Sequence, residues 1–121
     1  MDRLTRRSRL SVRPDPDPKL DYLVTLEGEI GGERPAAIEL RYVPDRLILV
    51  PESFAAYLED LGRRDWESLE SLAVALLDDL RNELVARWLQ VALQGSGHAV
   101  LVEDRQPKWD NPRLLARLRQ H

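Results

Sequence analysis

The chain contains no cysteine and only two histidines, His98 and His121. Without cysteine there is no disulfide, no thiolate metal site and no thiol nucleophile. Two histidines, one of them the last residue, leave almost no material for a histidine-rich metal centre or a serine–histidine relay, so no metal is expected. Lysine is scarce too, two residues against sixteen arginines, a bias better explained by genomic base composition than by function. Long apolar runs are missing. No stretch approaches the roughly eighteen uncharged apolar residues of a membrane span, and the N-terminal stretch lacks the apolar run of a secretory signal. The expected location is cytoplasmic, with no membrane partner. What is present is 121 residues, 43 % apolar and 32 % charged. That is one ordinary domain with enough apolar surface to offset its ordering entropy, which excludes a wholly disordered chain.

Charge is unevenly spread. Residues 1–19 carry six basic and three acidic side chains, residues 105–121 five and one, and residues 20–104 seven and seventeen. Basic arms on an acidic body can touch phosphate backbones, and such contacts weaken with salt. The N-terminal arginines have no interleaved aromatic on which a base would stack, so nucleic acid is a weak expectation. Residues 1–13 read as a mobile arm. Pro14, Pro16 and Pro18 alternate with Asp15 and Asp17 and read as an extended spacer, because each proline pushes its predecessor out of the helical region.

Residues 20–104 read as the folded domain. Leu20, Tyr22, Val24, Leu26 and Ile30 alternate with polar residues, a half-buried strand with Gly28 as a candidate bulge. Gly31-Gly32 supplies a turn. Ala36, Ile38, Leu40 and Tyr42 form a second alternating strand, and Leu47 to Val50 extends or follows it. Pro51-Glu52-Ser53 reads as a helix start, with Phe54, Tyr57, Leu58 and Leu61 on one face and Gly62 as the stop. Asp65 is expected to cap a longer helix with a stripe of Leu69, Leu72, Ala73, Leu76, Leu77, Leu80 and Leu84. Trp88 to Leu93 and His98 to Val102 close the domain as two strands around a Gly95–Gly97 turn. The segment Arg113 to Arg119 reads as a short basic amphipathic helix, ordered on a partner. The order β-β-α-α-β-β predicts an α+β domain, an antiparallel four-stranded sheet with both helices on one face.

Five segments in this order carry a resemblance. Asp15-Pro16-Asp17-Pro18 with Asp21-Tyr22, the strand Ile38 to Asp45, Glu52-Ser53, Leu77-Asp78-Asp79-Leu80 and Arg87-Trp88-Leu89 are similar to words of the NADPH-dependent cyano-deazaguanine nitrile reductase family of queuosine biosynthesis. The resemblance covers about residues 15–103 and implies the tunnelling fold, whose subunits join edge to edge into a barrel with ligand pockets between neighbours. A homo-oligomer through the sheet edges is therefore expected. The family's Cys-Pro segment, which supplies the thiolate that attacks the nitrile, is replaced by Gly31-Gly32-Glu33-Arg34-Pro35. Its proton-handling aspartate falls near Arg34, and its cofactor-phosphate lysine and following serine fall on Phe54 and Ala55. The Asn-Pro-Arg-Gly-Gly stretch gives way to Gln94-Gly95-Ser96-Gly97, and no cofactor is expected here. The family's base-recognising His-Glu pair falls on Leu69-Glu70.

Glu70 is thus the principal candidate for a purine- or pterin-type ligand, since a carboxylate accepts two adjacent N–H donors in bidentate fashion. Glu67 is the alternative if the loop gap falls differently. Glu52 and Ser53 are candidate pocket-edge residues or a helix cap. His98 reads as a packed or rim histidine rather than a catalyst. Asp78-Asp79 reads as a solvated face, because adjacent helix residues do not face each other. Trp88 reads as core and Trp109 as a contact residue. Three functions stay open: a catalytically degenerate ligand-binding or structural subunit, an enzyme with other chemistry on a purine- or pterin-like ligand, and a nucleic-acid or protein adaptor using the basic tails.

Overall fold

The computed structural model describes residues 3–118; His121 and Arg119 lie outside them. The alternating segments form a four-stranded antiparallel sheet in the order β2 (Val24–Ile30), β3 (Ala36–Val43), β5 (Trp88–Gly95) and β6 (His98–Arg105). Two helices, α2 (Pro51–Gly62) and α3 (Leu69–Leu84), stand between β3 and β5 in sequence. The protein is an α+β fold with antiparallel strands.

Register decides which side chains share a face. Gly28, Ile38, Leu93 and Val100 lie in one row, and Leu26, Leu40, Val91 and Val102 in the next. The Gly28 side of this face meets Leu58 of α2, and the Gly95 side meets Leu69 of α3, so both helices cover the same face. The leucine stripe of α3 supplies the core: Leu72, Leu76 and Leu80 are fully buried. Each such side chain contributes about 1.5–3 kcal/mol of apolar burial.

Several local expectations are corrected. Gly28 is not a bulge, because pairing runs through it unbroken from Val24 to Ile30. A side chain there would start 2.5 Å from Leu58 Cδ1, so glycine lets α2 approach the strand. Ser68, not Asp65, caps α3. Its hydroxyl accepts from the Ser71 N–H at 3.0 Å, and the Ser71 hydroxyl accepts from the Ser68 N–H at 3.1 Å, a reciprocal cap. Leu47–Leu49 (β4) follows β3 as a separate strand.

The N-terminal residues are not a loose arm and spacer. Arg3–Arg7 form a short helix, α1, and Val12–Pro14 form β1, which pairs antiparallel with β4. The side chain of Arg6 is buried against Asp79, donating from Nε at 2.9 Å and from Nη2 at 3.0 Å. Arg7 bridges Asp79 at 2.9 Å and Asp78 at 2.8 Å. The Tyr57 hydroxyl donates to Asp79 at 2.6 Å, and the Arg6 guanidinium sits 5.8 Å from the centre of the Trp66 ring. The Asp78-Asp79 pair is therefore split: Asp79 is fully buried under α1, and Asp78 stays at the surface. The proline segment folds back as well. Asp15 is buried and accepts from the Tyr22 hydroxyl at 2.6 Å and the Asp17 N–H at 3.2 Å. Burial first, and this hydrogen bond second, push the Tyr22 hydroxyl up to about 12.

The C-terminal segment is also held within the chain. Asp21 accepts from Trp109 Nε1 at 3.1 Å, Asn111 Nδ2 at 3.1 Å and Arg87 Nη1 at 2.8 Å. Burial pushes the Asp21 carboxyl up, but hydrogen bonds from Asn111, Arg87 and Trp109 outweigh it and leave it below its ordinary value. Asn111 then caps a single-turn helix, α4 (Pro112–Leu115). The helical reading of this segment holds for that turn, which Asp21 anchors through Trp109 and Asn111.

Candidate functional site

Glu70 lies in the first turn of α3, and His98 opens β6 just after the tight Gly95–His98 turn. The turn brings His98 Nε2 to 3.1 Å from Glu70 Oε2. The resemblance gave Glu70 no histidine partner, because Leu69 precedes it; the structure supplies one from a strand distant in sequence. Both side chains are exposed. The helix's own N–H first, and the His98 ring second, hold the Glu70 carboxyl below the usual carboxylate range. A carboxyl lowered on folding contributes stability above its unfolded value of about 4.3, lost as pH falls through the folded value. His98→Ala is expected to move the Glu70 titration upward toward the ordinary value, followed by NMR of the side-chain carboxyl, while the unfolding midpoint barely changes. An unmoved Glu70 titration would show that the pair does not form in solution.

The other sequence candidates do not join Glu70. Glu52 is exposed in the first turn of α2. Ser53 is engaged inside the chain: its hydroxyl donates to the Val50 carbonyl at 2.7 Å and accepts from the Ser11 N–H at 2.9 Å. Ser53 therefore fastens the N-terminal segment to α2, and α2 has no side-chain cap. None of the three lines any described hollow.

The positions where the resembled family does its chemistry carry other work here. Arg34 donates from Nε to the Trp66 carbonyl and from Nη2 to the Glu67 carbonyl, both at 2.9 Å. It braces the loop that leads into α3, and Glu67 takes part through its backbone. Phe54, at the phosphate-lysine position, is buried and stacks on Tyr57 at 6.5 Å. An apolar ring in the core offers a phosphate nothing.

Sequence reasoning missed a concavity of about 650 Å³ on the sheet face opposite the helices. Its floor is Ala37, Ala92, Ala99 and Leu101, and Glu27, Glu29 and Glu39 stand along one side. The signal was available: these are outward positions of the strands, and Ala37, Ala92, Ala99 and Leu101 interrupt the polar side that alternation would give. No serine, threonine, tyrosine, histidine or lysine lines this hollow, so it offers surface and negative charge rather than a nucleophile. Among the described residues no group of three or more potential ligands could hold a metal ion, and no helix is long and apolar enough to cross a membrane. Comparison with protein-family models and with curated proteins returns no match for this chain.

Proposed function

We propose that this chain is a catalytically degenerate tunnelling-fold protein, similar to the nitrile reductases of queuosine biosynthesis, that serves as an oligomeric ligand-binding or structural subunit. One observation carries the reading. The sheet runs β2-β3-β5-β6 in chain order with the helix pair inserted at its middle, and the outer strands β2 and β6 have no partner strand among the described residues. Unpaired outer strands are a liability that edge-to-edge assembly removes. The ligand class is purine- or pterin-like, with Glu70 accepting the adjacent N–H donors of the ring and His98 orienting the carboxylate.

The chemistry of nitrile reduction is lost. It needs an ionisable nucleophile within bonding reach of the nitrile carbon, and the chain has no cysteine. Ser53 is tied to Ser11 and Val50, and a guanidinium, at Arg34, is no proton shuttle. Incubation with cyano-deazaguanine and the reduced nicotinamide phosphate cofactor is expected to leave cofactor absorbance at the no-protein baseline. Turnover that survives repurification would refute the loss.

Binding is tested separately by thermal shift against deazaguanines, guanine, pterins and nicotinamide cofactors, with light scattering for mass. The expected result is a multimer whose melting rises with one ring class and not in Glu70→Gln. A monomer at micromolar concentration, with no ligand shift, would overturn the reading. The adaptor alternative loses Arg6 and Arg7 of its N-terminal arginines, since these two are committed to Asp79 and Asp78.

A further inference from the structure

The open face of the four-stranded sheet is electrostatically unbalanced. Glu27 on β2 and Glu39 on β3 are directly opposite in register, and Glu29 follows two residues on. Like charges directly opposite across strands are unfavourable. Glu39 has Arg41 at 3.3 Å, but Glu27 and Glu29 have no ion-pair partner among the described residues. Beside them lies an apolar floor of Ala37, Ala92, Ala99 and Leu101, and Leu101 is 54 % exposed. Unpaired carboxylates at the β2 edge, with the alanines and, at the far edge, Leu101 across the same row, make a surface suited to a cationic, amphipathic occupant.

The same chain carries a segment of that kind. Beyond the Asp21 anchor, Pro112–Leu115 and the turns that follow place Arg113 and Arg117 four residues apart, with Leu114 and Leu118 at the same spacing. Both arginines are exposed and, among the described residues, unpaired. Both leucines are only half-buried. The free cations and the free carboxylates do not meet within one molecule.

We propose that the open sheet face receives the basic C-terminal segment, residues 112–118, of a second copy of this chain. Arg113 and Arg117 answer Glu27 and Glu29, and Leu114 and Leu118 cover the alanine–leucine floor. The inference rests on the oligomeric part of the reading above and assigns it a contact distinct from the sheet edges. It also accounts for an acidic body that ends in a basic segment.

The absence of cysteine makes the test direct. Two single-cysteine variants, Ala99→Cys on the face and Ala116→Cys on the segment, are mixed and oxidised, so any disulfide joins two molecules and no proposed charge is altered. Heterodimer yield is expected to exceed that of Ala99→Cys mixed with Glu59→Cys, a control on the exposed side of α2. Adding Arg113→Glu and Arg117→Glu to the segment partner is expected to lower the yield on the order of tenfold. Adding Glu27→Lys and Glu29→Lys to the face partner is then expected to restore it. A yield equal to the control, or one indifferent to charge reversal, overturns the inference. A peptide spanning 109–121 is expected to block the cross-link better than a scrambled one; equal blocking would make the face a general cation surface and overturn the second-copy assignment. A multimer by light scattering without this cross-link would leave the oligomer reading intact and remove only this contact.

Discussion

Asp79→Ala is expected to destabilise the protein by about 3–5 kcal/mol, because it strands a buried guanidinium. Asp79 has no exposed surface and accepts from Arg6, Arg7 and Tyr57. The same network pushes the Tyr57 hydroxyl well above its ordinary value, burial being the largest cause and the Asp79 hydrogen bond the next. With the carboxylate gone, the buried Arg6 charge and the Tyr57 hydroxyl both lose their acceptor, and α1 loses its anchor. The neighbouring Asp78 is a matched comparison. It pairs with Arg3, Arg7 and Arg81, but it is partly exposed. Asp78→Ala is expected to cost about 0–1 kcal/mol. Urea unfolding of both variants makes the measurement. Equal losses would show that Asp79 is not a buried anchor. Asp79→Ala is also expected to speed proteolytic cleavage in residues 8–11, because α1 no longer holds that segment.

Gly32→Ala is the second large effect. Gly32 has φ of +89°, a backbone region that side chains rarely adopt, and a Cβ there would start 2.2 Å from the Gly62 carbonyl oxygen. The strained φ costs about 1–3 kcal/mol, and forcing the chains apart adds a similar overpacking cost of about 1–3 kcal/mol. Gly97→Ala separates the two contributions. Gly97 has φ of +66° with nothing within 4 Å of the added carbon, so only the conformational cost of about 1–2 kcal/mol applies. Thermal unfolding of the two variants should differ by several degrees. Indistinguishable midpoints would mean that the turn and the end of α2 are not in close approach.

Both sites show how far the sequence could be read. The alternation of Val24, Leu26 and Ile30 and the stripe from Leu69 to Leu84 dictate their elements, because a period is a local property that burial enforces at every turn. The order of elements and their antiparallel arrangement follow from those periods. Docking of the N-terminal segment did not show, because its determinants are charged. Arg6, Arg7 and Asp79 look like solvated residues until topology brings them together, and nothing local distinguishes Asp79 from Asp78. Proline alternation at residues 14–18 describes backbone restriction correctly but says nothing of Asp15 being covered by Tyr22. At the candidate site, Glu70 was legible through resemblance, while its contact with His98 depends on the register of a hairpin that begins far along the chain. Glu52 and Ser53 were singled out as words, and words do not tell which hydroxyl is already occupied. The open sheet face escaped notice because alternation was read for its buried half only.

The α1 anchor also orders events during synthesis. Arg6 and Asp79 are 73 residues apart. At about 5–20 residues per second, Asp79 is made roughly 4–15 s after Arg6. Over that interval Arg3, Arg6 and Arg7 have no acceptor from α3, and β1 waits for β4. Arg6 and Arg7 are thus made well before the residues that fix their places. A chain halted before residue 79 would therefore present Arg6 and Arg7 as free cations, which the finished protein holds against Asp79 and Asp78.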